Sequence, residues 1–521
     1  MKHTFIYCRD KLEGHILAAH FFNARGDESE KTRFGMLRSL VLQLLKDHSI
    51  YERFIPYYRS KCQRHRPGEW EWRESELKDF LLAEITRHQP KPLIFLIDAL
   101  DECREQHVRD VVKFLEELSI RAVHAKTILH VCLSSRHYPH ISIAKYQELV
   151  VEKREEHNED ISIYVRYHLT KRDEEIERGV LEKASGIFMW VVLVVSILNT
   201  AYDEGKVEAM QQKLSEVPDD LDTLFWTILN KDNPDKRETI LMLQWVLFAR
   251  RRLTPAELYH ATLAGINADT LGPWDSSKMT LYDIQRRITN SSRGLIEVRQ
   301  GESEQVQFIH ESVNDFLLRN RRLQSLDPAL ESNPLGTIHD RLKNCCMSYI
   351  LINALPEPKH IEQAVPLRSE YPFLKYASTH VFDHAEAGEL GHVPQTSFLG
   401  QLTEKPDVLE RVRLLHNSFE KNSEEICIKG AGLLYMMAIH GYNSLAKGLL
   451  ERGADVNLQG GYFSTALQAA ARGGHEAIVV KLLERGADVN LQGGQYSTAL
   501  QAAAMGGHKA IVTILQRRTP F

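Results

Sequence analysis

The chain has 521 residues, 43% of them hydrophobic, and a formal charge of -5 from 65 Lys and Arg against 70 Asp and Glu. That length corresponds to about three or four domains, and the slightly acidic balance gives no overall attraction for nucleic acid or anionic membrane. Seven cysteines without a Cys-x-x-Cys pair argue against a disulfide framework or a structural zinc site, and point to a reducing, cytoplasmic setting.

Met1 to Asp10 lacks the apolar core of a secretory signal. Lys11 to Phe22 passes from a mixed helical stretch into Ile16-Leu17-Ala18-Ala19-His20-Phe21-Phe22, whose tail reads as a buried strand. Gly26 to Thr32 ends in Lys-Thr like a phosphate loop. It lacks the second glycine, and three acids crowd the place where amides would cradle phosphate, so a solvated turn is expected. Apolar residues from Met36 to Leu45 keep helical spacing within Phe34 to Lys46, and a further helix is expected from Ser75 to His88.

Pro92 to Cys103 organises the first part of the chain. Five apolar residues, Leu93 to Ile97, lie between a proline and the acids Asp98, Asp101 and Glu102, which predicts a strand buried on both faces with acids at its carboxyl end. Open α/β sheets bind ligands at that edge, and a carboxylate there can hold Mg²⁺ beside phosphate oxygens. Alternatively, the acids cap a helix starting near Glu102. Val108 to Leu118 reads as a helix and Thr127 to Leu133 as another buried strand, giving a right-handed crossover to a parallel neighbour. Arg136 then emerges on the same edge as Asp98, to sense a terminal phosphate or to pair with the acids. His137 and His140, separated by Pro139, attract no further ligands, so no metal site is expected of them.

Glu152 to Asp160 is charged and reads as a surface turn, followed by helices at Ile161 to Leu169 and Glu174 to Ala184. Gly186 to Leu198 is the most apolar stretch. Its uninterrupted run falls well short of the roughly 20 residues that span a bilayer, so a buried helix is predicted. Further helices are expected at Leu221 to Leu229, capped by Asp219 or Asp220, and at Leu241 to Phe248. Thr254-Pro255-Ala256-Glu257 has an N-cap with proline at the first helical position. Strands at Leu295 to Arg299 and Val306 to Ile309 follow, and helices before a hairpin suggest a winged helix serving as an internal regulatory module. Arg250 to Arg252 and Arg319 to Arg322 read as solvated helix ends. His310 closes the hairpin, and Val313 to Leu318 begins the next helix. From Asp327 to Lys421 the pattern is helical, with prolines expected to break it into short elements and Cys345 and Cys346 packed in a core.

Gly453 to Gly461 recurs unchanged at Gly486 to Gly494, and Ser464 to Ala471 returns as Ser497 to Ala504. Both offsets are 33 residues, the period of an ankyrin unit, with a fainter copy from Leu433 to Glu451. Thr465 and Thr498 cap the first helix of a unit, Gly474 and Gly507 allow the turn, and Ile478-Val479 or Ile511-Val512 face the stack. Such an array presents a protein-binding face or, as a short helical tail, merely stabilises the preceding domain.

With these motifs in order, the chain resembles the fungal NACHT-ankyrin proteins, signal-transducing NTPases related to animal innate-immune receptors. The resemblance rests on Leu93 to Glu102, Cys132 to Arg136, Gly186 to Val194, Phe308 to Leu317 and the repeats. It implies an α/β plus α fold: an incomplete P-loop-NTPase-like parallel sheet domain, helical and winged-helix domains, and an ankyrin solenoid. The implied domains are residues 1–150, 151–235, 236–325, 326–425 and 426–521. By resemblance Asp98 would bind magnesium, Asp101 and Glu102 would arrange the attacking water, Arg136 would sense the terminal phosphate, and His310 would touch the diphosphate of Mg-ATP or Mg-GTP. A buried histidine bonded within the hairpin is the other reading of His310.

The family's Gly-x-x-x-x-Gly-Lys-Ser/Thr loop occurs nowhere in the 521 residues. Without its amides and lysine, the acids face the phosphates unaided. Met1-Lys2-His3 resembles the helix after that loop, which implies a chain beginning inside the domain. Two functions follow. One is a nucleotide-dependent oligomerising switch whose phosphate loop is missing from the gene model. The other, expected of this polypeptide, is a non-catalytic signalling protein that binds protein partners through its repeats.

Overall fold

In the computed structural model, residues 1–23, 26–64, 70–87, 91–135, 143, 147–151, 154–205, 208–231, 233–299, 304–330, 332–355, 367–419 and 432–518 are described. They form two compact units, Met1–Val150 and Val151–Phe521.

The first unit runs α1 (Lys2–Lys11), β1 (Ile16–Phe21), α2 (Glu28–Lys31), α3 (Arg33–Leu44), α4 (His48–Arg64), α5 (Glu74–Thr86), β2 (Leu93–Asp98), α6 (Glu105–Ala125) and β3 (Leu129–Leu133). The strands make a parallel sheet in the order β1-β2-β3, with Phe21 opposite Asp98 and Ile97 opposite Leu133. Because side chains alternate across a strand, β2 serves both faces. Leu93, Phe95 and Ile97 pack with Met36, Leu40 and Phe80 of the covering helices, while Ile94 and Leu96 meet Ala19, Phe5 of α1 and Met1 just before it. Edge strand β1 is tied to α3 by Gln43, whose side chain accepts from Ala19 N at 3.1 Å and donates to Ala19 O at 2.7 Å.

Several expectations need correction here. The strand expected to be buried before Ser134 is the sheet's edge: Leu129, Val131 and Leu133 are half-buried, and His130 and Cys132 are exposed. Gly26 to Thr32 is no simple turn, because Asp27 caps the short α2 by accepting from Ser29 N at 2.9 Å. The helix expected at Val108 to Leu118 extends over Glu105–Ala125, and α4, with Pro56 inside it, was not foreseen.

The second unit begins with α7 (Glu155–His168), α8 (Glu174–Ala184), α9 (Phe188–Asp203), α10 (Ala209–Glu216) and α11 (Leu221–Asn230). Most of the stretch expected as a turn at Glu152 to Asp160 is therefore the first turns of α7. Trp190 of α9 is fully buried and donates to Pro218 O at 2.7 Å. Asp220 caps α11 by accepting from Thr223 N.

Next come α12 (Lys236–Phe248), α13 (Pro255–Ile266), α14 (Leu281–Ser291), the antiparallel hairpin β4 (Ile296–Arg299) and β5 (Gln305–Phe308), α15 (Glu311–Leu318) and α16 (Arg322–Leu326). Thr254 and Glu257 form the capping box of α13. The arginine clusters are not simply solvated. Arg251 grips the buried Glu257 at 2.6 and 2.8 Å, and Arg322 pairs with Asp222 at 2.9 Å over the Phe316 ring.

The expected short elements after Asp327 are instead α17 (Pro334–Ile350) and α19 (Leu374–Leu390), 17 residues each, with α18 (Leu367–Glu370), α20 (Thr396–Glu404) and α21 (Pro406–Phe419). Pro334 and Pro406 stand at helix starts, where the missing N–H costs nothing. Pro356, Pro358 and Pro366 lie outside the described residues. A Cβ at Gly336 would collide with the backbone of Gly391, so glycines let these segments touch. Cys345 and Cys346 are buried.

The C-terminal helices are α22 (Leu433–His440), α23 (Asn443–Glu451), α24 (Ala466–Gly473), α25 (Glu476–Glu484), α26 (Ala499–Gly506) and α27 (Lys509–Arg518). One hydrophobic core runs from Ile161 through the helical body to Leu515 in the last repeat. Among the described residues, no helix is long and apolar enough to cross a membrane.

Candidate functional site

The acids expected to carry chemistry lie at the carboxyl end of the central strand. Asp98 is the last residue of β2, and its carboxylate accepts the Ser134 hydroxyl from the adjoining end of β3. Ser134 also accepts from Ala99 N at 3.1 Å, donates its own N–H to Ile97 O at 2.9 Å, and receives Leu100 N at 3.0 Å. One serine thus fixes the tip of the strand.

Ala99 adopts a left-handed conformation, φ 53° and ψ 49°, a geometry that costs a non-glycine residue about 1 kcal/mol. The turn sends Leu100 into the core and leaves Asp101 and Glu102 half-buried in a 3₁₀ turn. α6 starts at Glu105, with Arg104 before it, so the acids lie ahead of that helix in the 3₁₀ turn. Asp98, Asp101 and Glu102 are therefore brought together on one edge. Nothing in the spacing of the motif singled out Ser134; the signal was its place one residue beyond the partner of Ile97 on a parallel neighbour.

The segment from Gly26 to Thr32 lies beside this turn. Arg104 N donates to Lys31 O at 3.1 Å, and Arg104 pairs with Glu28 at 2.6 Å. A Cβ at Gly26 would run into the Glu30 carboxylate, and Asn23 donates to the same side chain at 3.0 Å. A phosphate approaching this loop would meet an acid where a nucleotide site needs amides. Cys103 packs against the same segment, and burial pushes its thiol up to about 12, so it is no nucleophile at neutral pH.

Among the described residues, no group of three or more His, Cys, Asp or Glu is arranged to hold a metal ion by itself. Magnesium held by carboxylate, water and phosphate would use Asp98 first.

Arg136 lies outside the described residues, as do His137 and His140. His310 belongs to the second unit. It is exposed, which corrects the reading of a buried hairpin histidine, and it caps α15 by accepting from Ser312 N at 3.1 Å through Nδ1.

The repeats form a second site of a different kind. Thr465 accepts from Gln468 N at 3.2 Å, and Gln468 accepts from Thr465 N at 3.0 Å, which closes the capping box of α24. The Gln468 amide then donates to Leu491 O, Gly493 O and Ser497 O of the next unit, at 3.3, 3.2 and 2.9 Å. His475 meets Ile439 O at 3.0 Å and His508 meets Arg472 O at 3.1 Å, the same bond one repeat apart. Gly474 has φ +80°, and a Cβ there would sit 2.5 Å from the His508 ring. Phe463 and Tyr496, 33 positions apart, stack with centroids 5.7 Å apart.

Residues 2–136 match the family described as Nephrocystin 3, N-terminal, and residues 407–493 and 433–519 match Ankyrin repeats (3 copies). No curated protein matches the chain. The two matches, with a small parallel sheet ahead of helices and repeats, support a NACHT-ankyrin-like architecture.

Proposed function

We propose that the chain is a NACHT-type signalling or regulatory protein of fungal type, in which the repeats bind a protein partner and the sheet unit no longer turns over nucleotide. One observation carries the reading: the repeats spend their polar groups on one another, through Gln468, His475 and His508, and leave exposed side chains such as Leu458 and Asp488 for a partner. The absence of a Gly-x-x-x-x-Gly-Lys-Ser/Thr loop from the 521 residues supports the loss of turnover. Residues 1–150 then stand for a truncated NTPase-like domain, 151–235 for a helical domain, 236–325 for a winged helix around the β4–β5 hairpin, 326–425 for a helical connection, and 426–521 for the repeats. We place the protein in the cytoplasm, in keeping with six described cysteines that are all free thiols.

The test compares partners cross-linked to the full chain with those cross-linked to a Leu458→Glu, Asp488→Arg chain. A set lost only from the double variant supports repeat-mediated binding; an unchanged set refutes it.

A second reading, an ATP- or GTP-dependent oligomerising switch, is favoured by the place of Asp98 at the carboxyl end of the central strand, with Asp101 and Glu102 in the turn after it. There Asp98 would hold the magnesium ion, and Asp101 and Glu102 the water. Hydrolysis by the full chain that disappears in Asp98→Ala would establish it.

A further inference from the structure

Away from both sites, α7 and the start of α9 enclose an open cavity of ≈ 400 Å³ lined by Asp160, Ile163, Tyr164, Tyr167, His168 and Phe188. Asp160, Tyr164 and His168 are spaced four apart, so they share one face of α7. The rings stand as walls. Phe188 meets Tyr164 at 63° with centroids 5.0 Å apart, Tyr167 meets His168 at 73° and 5.1 Å, and Tyr164 stacks on His168 at 4.2 Å. Tyr167 is 82% exposed and Ile163 58%, an unusual display of apolar surface at a mouth that also bears a carboxylate. Burial pushes the Tyr164 phenol up, so that ring stays neutral.

Aromatic faces carry negative quadrupole density and attract cations within about 6 Å. Elsewhere the chain fills such faces itself: Lys61 lies 5.0 Å from the Trp72 ring, and Arg322 lies 4.4 Å from that of Phe316. Among the described residues no Lys or Arg lies over Tyr164, Tyr167 or Phe188, and Asp160 has no ion pair. Arg166, the base on the same helix, is directed to Glu177 at 3.4 Å. Glu156 and Glu159 add negative charge to the exposed side of α7.

We infer that this cavity is a cation-recognition site for the guanidinium or ammonium group of an Arg or Lys side chain presented by a partner protein. The ring faces receive the delocalised or alkylated charge, and Asp160 supplies the counter-charge and a hydrogen-bond acceptor. This interaction surface is separate from the repeats, so its failure would leave the reading of the repeats standing.

Saturation-transfer difference NMR on the full chain at pH 7.5 tests it, with acetyl-Gly-Arg-Gly-amide and its lysine, trimethyllysine, citrulline and norleucine counterparts as probes. Saturable binding is expected for the cationic peptides, with citrulline and norleucine at least tenfold weaker. Asp160→Asn and Tyr167→Ala should each lower affinity about two- to fivefold, in line with the strength of an exposed ion pair and an exposed cation–π contact. Both positions are exposed, and an unchanged thermal melt confirms that the variants fold. Equal binding of norleucine would make the cavity an apolar docking site and overturn the inference. Absence of binding by any probe, or cationic binding that neither variant weakens, would overturn it as well.

Discussion

The sheet unit and the repeat stack use hydrogen bonds in opposite ways. At the tip of β2 a single side chain, Ser134, holds the acid in place, and the adjoining loop is closed by another acid, Glu30. In the stack the same bonds recur every 33 residues, each unit supplying acceptors for the next, as Arg472 O does for His508 and Ile439 O for His475. The first arrangement concentrates charge at one spot and depends on few atoms. The second spreads its satisfaction along the chain and shares one apolar core with the helical body. A site built on the sheet can therefore be lost by a local change, whereas the repeats lose stability in increments.

Acid offers the largest test of this contrast. Burial lowers His339 and His440 of the second unit to about 4 and pushes His384 well below its ordinary value, while in the sheet unit it lowers His20 to about 4. The unfolded chain takes up these protons first. Stability is thus intact above the ordinary value of 6.5 and falls as pH drops toward 4, by on the order of 3 kcal/mol for a buried histidine lowered that far, such as His20. Circular dichroism melts between pH 7 and 4 should show the helical and repeat signal losing more than the sheet unit, and the reverse order would break the comparison.

Truncating the centre of the sheet comes next. Phe95→Ala, at a fully buried position, should cost about 3–5 kcal/mol. In urea, the fluorescence of Trp70 and Trp72 should move to lower midpoint, while that of Trp190 and Trp245 stays in place. A common shift would show that the units unfold together.

Gln468→Ala removes three donations to the following repeat and should cost about 1–3 kcal/mol. Hydrogen exchange should speed up first at residues 491–497. Smallest are the caps. Thr465→Ala should cost about 1 kcal/mol, and Thr498→Ala less, because only Thr465 completes a reciprocal capping box. Equal losses in thermal melts would remove the distinction between an inner and an outer unit.

Where local chemistry decides structure, it could be read from residues alone. The apolar run Leu93 to Ile97 between a proline and acids does form the middle strand, Thr254 with Pro255 does open a helix, and the 33-residue period does return as paired helices. Prolines misled between Asp327 and Lys421, because Pro334 and Pro406 begin helices that would otherwise need an N–H partner there. α4 escaped notice because Pro56 inside it argues against a helix, although Ile50 and Phe54 share one face toward the core. Ser134 and the cavity at Tyr164 depend on neighbours distant in the chain, Asp98 for one and Phe188 for the other, which no periodicity announces.

The junction at α19 has a mechanical consequence. Glu386 accepts from the backbone N–H groups of Ser444 and Leu445 at 2.8 and 3.0 Å, and Tyr442 donates to Asp383 at 2.9 Å, so the first repeat is clamped to a 17-residue helix at three points. These three bonds stiffen that joint. A load applied at the far end of the stack arrives as torque on α19, and from there on α17 packed beside it, which makes the array a lever arm with its fulcrum inside the helical body.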